Sequence, residues 1–314
     1  MTMYTVFRIL FAVAALLVLL VACQHVRHSD SAALPPRPEG ALRLATWNVH
    51  YILLIRPQGR WGLSGWEERK DPMDRTFRAL DADIVAFQEM ESFSRGSDGS
   101  VNLARDWLLG NNAGYAAAAS GDWRSFPSTQ PIFYRAARFD LLDQGWFFFS
   151  DTPDVIYSRT FDGGYPAFAS WARFEDRGSG AVFRVINVHF DASSRENRQR
   201  SADLVAREVA PWIDAGEAVL LLGDLNALHG SRLHRTLEAT GVRFPRVPGA
   251  TYHLDRGLHL FGAIDHVGLS DGIEELGDPM VVRDRNGGVW ASDHYPVVMD
   301  LGVAPRDTMQ GALR

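Results

Sequence analysis

The hydrophobic positions of this chain fall into short apolar runs that stop on polar residues able to do chemistry. The sharpest is Val219-Leu220-Leu221-Leu222-Gly223-Asp224-Leu225-Asn226. Four consecutive aliphatics without polar alternation predict a strand covered on both faces. Gly223 lets the backbone change course there. Asp224 and Asn226, two residues apart, would share one face of an extended chain. An ordinary strand exit through an Asx turn is the competing reading of this stretch taken alone.

The same pattern recurs along the chain. Leu42 to Val49 reads as a first strand with Asn48 near its end, and Asp83 to Glu89 as a second that gives way to a carboxylate. Ala181 to Phe190 carries Asn187 and His189 on one face, Ala263 to Leu269 embeds Asp265, and Ser292-Asp293-His294-Tyr295-Pro296 precedes a last strand, Val297 to Leu301. Shorter strands are expected at Tyr115 to Ala119, Pro131 to Arg135 and Phe139 to Leu142. Helical spacing marks Glu67 to Leu80 through Met73, Phe77 and Leu80, and Arg195 to Trp212 through Leu204, Val205 and Val209; Val101 to Leu109 and Leu233 to Ala239 are further helices. The aromatic stretch Trp146 to Pro153 leads into a long irregular segment holding Arg159, Asp162 and Tyr165. Segments of that kind in compact domains are usually functional, so these residues are expected substrate contacts.

Composition and the N-terminus bound the picture. With 46% hydrophobic and 22% charged residues, the 314-residue chain can bury a sizeable core. Residues 1–23 stand apart: an uncharged run from Ile9 to Ala22 ends at Cys23, the only cysteine. That is a secretory apolar segment by length and flanks, and Leu20-Val21-Ala22-Cys23 resembles the lipobox of bacterial lipoproteins. An uncleaved signal anchor is the alternative, the run being short of the roughly 20 residues a spanning helix needs. Both place the body outside the cytoplasm, in the cell envelope, attached to the membrane through a lipidated Cys23 or an N-terminal anchor. Residues 24–41, with Pro35, Pro36 and Pro38, read as a tether. One domain over 42–303 and a tail over 304–314 complete the organisation.

The net charge is −6, and Lys70 is the only lysine. Strong sequence-independent nucleic-acid binding needs basic surface, so the balance weighs against it. Arginine clusters remain at Arg195, Arg198 and Arg200 and at Arg243 and Arg246; such runs are mostly solvated faces, and Arg198 is the expected substrate contact among them. Collected, the strand ends offer carboxylates, carboxamides and two histidines without a thiolate. Hard oxygen donors of this kind select Mg²⁺ or Mn²⁺, which usually meets substrate phosphate. The expected reaction is water attack on a phosphoester, and no obligate protein partner is indicated.

Seven segments in order then resemble the endonuclease/exonuclease/phosphatase superfamily: Thr46-Trp47-Asn48-Val49, Gln88-Glu89, Pro131-Ile132-Phe133-Tyr134, Asn187-Val188-His189-Phe190, Gly223-Asp224-Leu225-Asn226, Ile264-Asp265-His266 and Ser292-Asp293-His294-Tyr295-Pro296. The resemblance implies an α/β fold, a four-layer α/β/β/α sandwich of two packed, mainly antiparallel sheets. By the same resemblance Asn48, Glu89 and Asp293 bind the principal metal, and Asp224 and Asn226 orient the attacking water or hold a second ion. His294, paired with Asp265, and His189 contact the scissile phosphate, with Asn187 at the substrate. Two departures bear on this. Many relatives carry an acid where this chain has His50, which bears on the first metal shell, and a tyrosine where it has His266, which would alter leaving-group contacts. The substrate expected is a small or exposed ester, such as a sugar phosphate, nucleotide or lipid head group. A secreted-type nuclease and a non-catalytic binding protein on the same fold are the alternatives.

Overall fold

The computed structural model describes residues 2–29, 33–93 and 101–305. Residues 30–32 of the expected tether and 306–314 of the expected tail lie outside them. In chain order the strands are β1 Leu42–Asn48, β2 Ile52–Leu53, β3 Ile84–Gln88, β4 Ser92–Phe93, β5 Tyr115–Ala118, β6 Ile132–Arg135 and β7 Phe139–Phe148. They continue with β8 Phe168–Asp176, β9 Val182–His189, β10 Ala218–Asp224, β11 Asp265–Leu269, β12 Ile273–Glu275, β13 Met280–Val281 and β14 Val297–Val303. The helices are α1 Met3–Arg27, α2 Leu63–Leu80, α3 Leu103–Asn111, α4 Arg195–Asp214 and α5 Arg232–Glu238.

Strand alternation builds the layers. Leu44, Ile84, Val185, Leu220, Leu222 and Val267 bury into one cluster between the two main sheets. Their sequence neighbours Ala45, Val85 and Phe87 point the other way, onto Met73, Phe77 and Leu80 of α2 and Leu108 of α3. On the second sheet Ile186, Val219 and Leu221 pack against Leu204, Val205 and Val209 of α4 and Leu233 and Leu237 of α5. Three apolar interfaces make four layers, α/β/β/α, as the resemblance implied.

The larger sheet runs β12-β14-β1-β3-β6-β5, with β13 also on β14, and the second runs β11-β10-β9-β8-β7. Each is antiparallel except for one pair: β1 lies parallel to β3, and β9 parallel to β10. Parallel neighbours need a crossover, and α2 and α4 supply it. Gly223 shows how closely the second pair is fitted: its φ is +143°, and a Cβ there would meet the Val188 carbonyl oxygen at 1.9 Å.

Some expectations change. Trp146 to Phe148 completes the ten-residue strand β7 rather than opening the irregular segment, which ends at β8. β8 escaped notice because its run, Phe-Ala-Ser-Trp-Ala-Arg-Phe-Glu-Asp, mixes small and charged residues on a hairpin at the side of the sheet. The proline-containing tether is held on the domain at Arg37, which pairs with Asp83 at 2.7 Å, and at Pro35, whose carbonyl accepts from Arg43. At the N-terminus, α1 runs past the apolar stretch at both ends for 25 residues with no residue buried, mean hydropathy 2.8. At about 1.5 Å per residue it is long and apolar enough to cross a membrane. Cys23 lies exposed within this helix.

Candidate active site

Two crossovers of one kind deliver the polar residues. β1–α2–β3 and β9–α4–β10 face each other across the seam, β1 on β10 and β3 on β9. The carboxyl ends of four strands therefore open together, the place where α/β sheets bind ligands. Asn48, His189 and Asp224 are the last residues of β1, β9 and β10, and each shares the inward parity of Leu44, Val185 and Leu222. Asp265 opens the antiparallel strand β11 at the same end, paired with Asp224.

Glu89 breaks the parity rule. Continued as strand, it would turn outward like Phe87, but its φ of +54° reverses the chain and brings its carboxylate inward. Left-handed backbone is uncommon outside glycine and clusters at functional sites. Asn48 Nδ2 then donates to both Glu89 Oε1 and Asp224 Oδ2, at 3.1 Å each. Asp224 Oδ2 also stands 3.6 Å from His189 Nε2 and 3.8 Å from His294 Nε2, while His189 Nε2 is 3.8 Å from Glu89 Oε1. His294 Nδ1 meets Asp265 Oδ2 at 2.9 Å.

The electrostatics follow from burial and these neighbours. Desolvation and the Asp265 charge raise the Asp224 carboxyl to about 6, against the opposing pull of His294 and His189. Burial works against a charged His294, yet Asp265, Asp224 and Asp293 outweigh it and raise the imidazole to about 10. Burial likewise works to raise Glu89, but His189, His50 and the Asn48 amide hold it below the ordinary carboxylate value. The outcome is an ionised Glu89, a near-neutral-titrating Asp224 and a cationic His294 in one cluster.

Other expected residues are placed differently. Asn226 has φ +44°, so it does not extend the strand. Its N–H donates to Asp224 Oδ1 at 2.9 Å and its Nδ2 to the Phe190 carbonyl, which is the Asx turn of the competing reading. Asn48 turns its oxygen to the His50 N–H and its NH₂ to the carboxylates, so it would have to rotate to coordinate a cation. Asp293 accepts from Ser292 Oγ at 3.3 Å, and its charge is felt by His50 and His294. Asn187 is fully buried, accepting from Gln88 Nε2 at 2.7 Å and donating to the Phe87 and Gln130 carbonyls; it ties the sheets together and offers nothing to the cavity. Arg198 bonds the Asp191 carbonyl, and Arg159 is exposed with its Nε on the Gly163 carbonyl, both outside the carboxylate–histidine cluster. His266 corrects a further expectation. It follows Asp265 on β11, so strand alternation turns it to the opposite face, where Nε2 donates to the Ala227 carbonyl.

Pattern reading also missed the supports. Arg69 is fully buried on α2 and donates to the carbonyls of Val49, His50, Tyr51 and Ala291, beneath Trp61 and Trp66. Burial and nearby Arg60 lower this guanidinium to about 9. The signal was available: Arg69 lies on the stripe of Trp66, Met73 and Phe77, a charge on an apolar face. Thr251 Oγ1 accepts from the N–H groups of Ile264 and Asp265, and Tyr252 lies 4.9 Å, ring to ring, from His294. Ser292 Oγ caps the Asn48 carbonyl at 2.7 Å.

The comparisons agree with this fold. A crystal structure of an endonuclease/exonuclease/phosphatase from Bacteroides vulgatus is 24% identical, covering 84% of this chain and 100% of that one with a TM-score of 0.70. The mannosyl-6-phosphatase of Bacteroides thetaiotaomicron is 22% identical over 83% and 99%, TM-score 0.64. The human Nocturnin catalytic domain with bound sulfate is 17% identical over 87% and 96%, TM-score 0.59. Identities this low carry the fold and no more. Among curated proteins nothing matches. The sequence pattern of the Endonuclease/Exonuclease/phosphatase family, however, matches residues 45–294, from β1 to His294 itself, and by that span the chain belongs to this family.

Proposed function

We propose that this chain is a divalent-metal-dependent phosphoesterase acting on a small or exposed ester, such as a sugar phosphate, nucleotide or lipid head group. The observation that carries it is the convergence of Asn48, His189 and His294 on Asp224 Oδ2, at 3.1 to 3.8 Å, with Glu89 alongside. The donor chemistry fits a hard cation: carboxylates and carboxamides converge without a thiolate. Glu89, with Asp293 and a rotated Asn48 beside it, would hold Mg²⁺ or Mn²⁺. When bound, such an ion neutralises charge on the phosphoryl oxygens.

The rest falls to the chain's own residues. The Asn226 N–H occupies Asp224 Oδ1, so once Asn48 rotates its amide away, Oδ2 is left to orient a water and take its proton. His294, kept cationic by Asp265, donates from Nε2 to a phosphoryl oxygen, and His189, whose Nε2 lies 3.6 Å from Asp224 Oδ2, donates as well. Aromatic rings lie near the cluster: Tyr252 by His294, His50 stacked on Trp61 at 3.5 Å, and Tyr51 against Phe93. Flat faces of this kind suit a sugar or base carrying the phosphate. The acidic chain, with one lysine, disfavours tracking along a nucleic-acid backbone.

Magnesium-dependent release from sugar phosphates, nucleotides, phospholipids and plasmid DNA tests this directly. Turnover of a small ester is expected; plasmid degradation without it would favour a nuclease. Asp224→Ala and His294→Ala variants as fast as the wild type would leave a binding protein on the same fold. For location, α1 serves as a signal or an anchor, and Cys23 as the lipidated residue. Replacing Cys23 with Ser should move the protein out of the detergent phase, and unchanged partitioning counts against lipidation.

A further inference from the structure

Behind the second sheet, on the face opposite the carboxylate cluster, three histidines meet. His229 lies on the loop after Asn226, His234 on α5 and His266 on β11, and one donor nitrogen from each lies within 4.8 Å of the others. His234 and His266 are fully buried, with ring centroids 4.5 Å apart, whereas His229 is exposed.

Hydrogen bonding decides which nitrogens are available. His266 Nε2 faces the Ala227 carbonyl at 2.9 Å; a carbonyl only accepts, so this nitrogen carries the proton and Nδ1 holds the lone pair. His234 Nδ1 stands 3.0 Å from Ser231 Oγ, leaving Nε2. Both remaining atoms, His266 Nδ1 and His234 Nε2, are buried and make no hydrogen bond of normal geometry, although the Ala263 carbonyl also lies near the His266 ring. Leaving two such groups without partners is costly. A ring nitrogen fixed by a carbonyl or hydroxyl while the other is free is the arrangement of a metal-ligating histidine. The surroundings, Phe244 and Val242, are apolar. Burial also keeps His234 and His266 neutral at ordinary pH, lowering them to about 3 and about 4.

We propose that His229, His234 and His266 form a second metal site, distinct from the catalytic cluster, for an imidazole-selecting divalent ion, with Zn²⁺ the ion of choice. Three imidazoles and a water complete a tetrahedron. Bonds of about 2.0–2.1 Å need the nitrogens to draw together by roughly an ångström, and His229, on an exposed loop, supplies that movement. Occupied, the site fastens three elements: the loop leaving Asp224 and Asn226, helix α5, and the strand that begins with Asp265. It therefore braces two of the catalytic carboxylates from behind without touching substrate.

The full-length protein, stripped with chelator and supplied with excess Mg²⁺ to satisfy the carboxylate cluster, is titrated with Zn²⁺ against a chromophoric chelator. One tightly held Zn²⁺ per chain is expected. His229→Ala, whose exposed position leaves the fold intact by circular dichroism, should weaken it by at least about tenfold, and His234→Gln likewise, whereas Glu89→Gln should leave it unchanged. Co²⁺ in its place should give the intense visible bands of tetrahedral coordination. The proposal is overturned if the wild type retains no Zn²⁺, or if retention survives His229→Ala and is lost with Glu89→Gln, which would put the ion among the carboxylates.

Discussion

His294 Nδ1 and Asp265 Oδ2 lie 2.9 Å apart, both buried, on segments 29 residues distant in sequence. The pairing is fixed from three sides. Thr251 Oγ1 holds the backbone of Asp265, the His294 N–H donates to Ser292 Oγ, and Trp47 Nε1 donates to the His294 carbonyl. The imidazole therefore presents Nε2 to Asp224 in one orientation and, given the neighbouring carboxylates, as a cation.

Replacing Asp265 by Asn removes the charge that sustains that cation. Turnover of a confirmed ester should fall roughly 100-fold or more, the scale of general acid–base assistance. The diagnostic sign is in the pH profile. With the raising influence gone, the His294 imidazole titrates lower, so the alkaline limb of kcat/KM against pH moves toward acid. A loss of rate with the limb unmoved would mean that Asp265 acts only on packing.

The same charges govern stability in the metal-free protein. His294 rises from 6.5 to about 10 on folding, so its stabilising contribution is complete below pH 6.5 and is lost as pH climbs toward 10. Asp224 rises from 3.8 to about 6, so the folded state holds its proton more tightly, and stability declines between those values as pH increases. Both effects run in one direction. The melting temperature in chelator should therefore drop steadily from weakly acid to alkaline pH, and Asp224→Asn should raise it near neutrality while abolishing turnover. A variant that melts lower than the wild type at pH 7 would contradict the destabilising charge assigned to Asp224.

How much of this was visible in the chain depends on whether an element obeys a period. Alternation located β1, β3, β9, β10 and β11, and the inward parity of Asn48, His189, Asp224 and Asp265 follows from it. It could not place Glu89 or Asn226, because single left-handed residues, φ +54° and +44°, cancel parity at the strand end. Nor could it separate Asn187 from His189, which share a face: the difference is depth, Asn187 lying two residues back inside the seam. The resemblance puts His266 at the leaving group, although alternation alone turns it away. For Arg69 the helical stripe signals the burial but not the partners, because carbonyls have no sequence signature.

Arg69 bears on stability more than its distance from the carboxylates implies. One buried guanidinium serves four carbonyls on the two loops that carry His50 and Asp293. Arg69→Met keeps the apolar contact with Trp66 but orphans the acceptors, a change expected to cost about 3 kcal/mol in urea unfolding. Arg69→Lys, lacking the planar fork, should recover only part of this. Equal stability of all three proteins would show that water replaces the guanidinium at no cost.

Glu89 offers the cleanest separation of metal binding from the remaining chemistry. Glu89→Gln preserves shape and the acceptor for the Asn48 amide while removing one charge from the cavity. If Glu89 holds the principal ion, chelator should abolish wild-type turnover and Mg²⁺ restore it, with the variant needing a far higher concentration. His294, still paired with Asp265, should keep its alkaline limb. Melting curves give an independent readout, since an ion that binds only the folded state raises the transition with concentration. Mg²⁺ should stabilise the wild type and leave Glu89→Gln nearly unmoved. An identical Mg²⁺ dependence in the two proteins, by rate and by melting, would transfer the ion to Asp224 and Asn226.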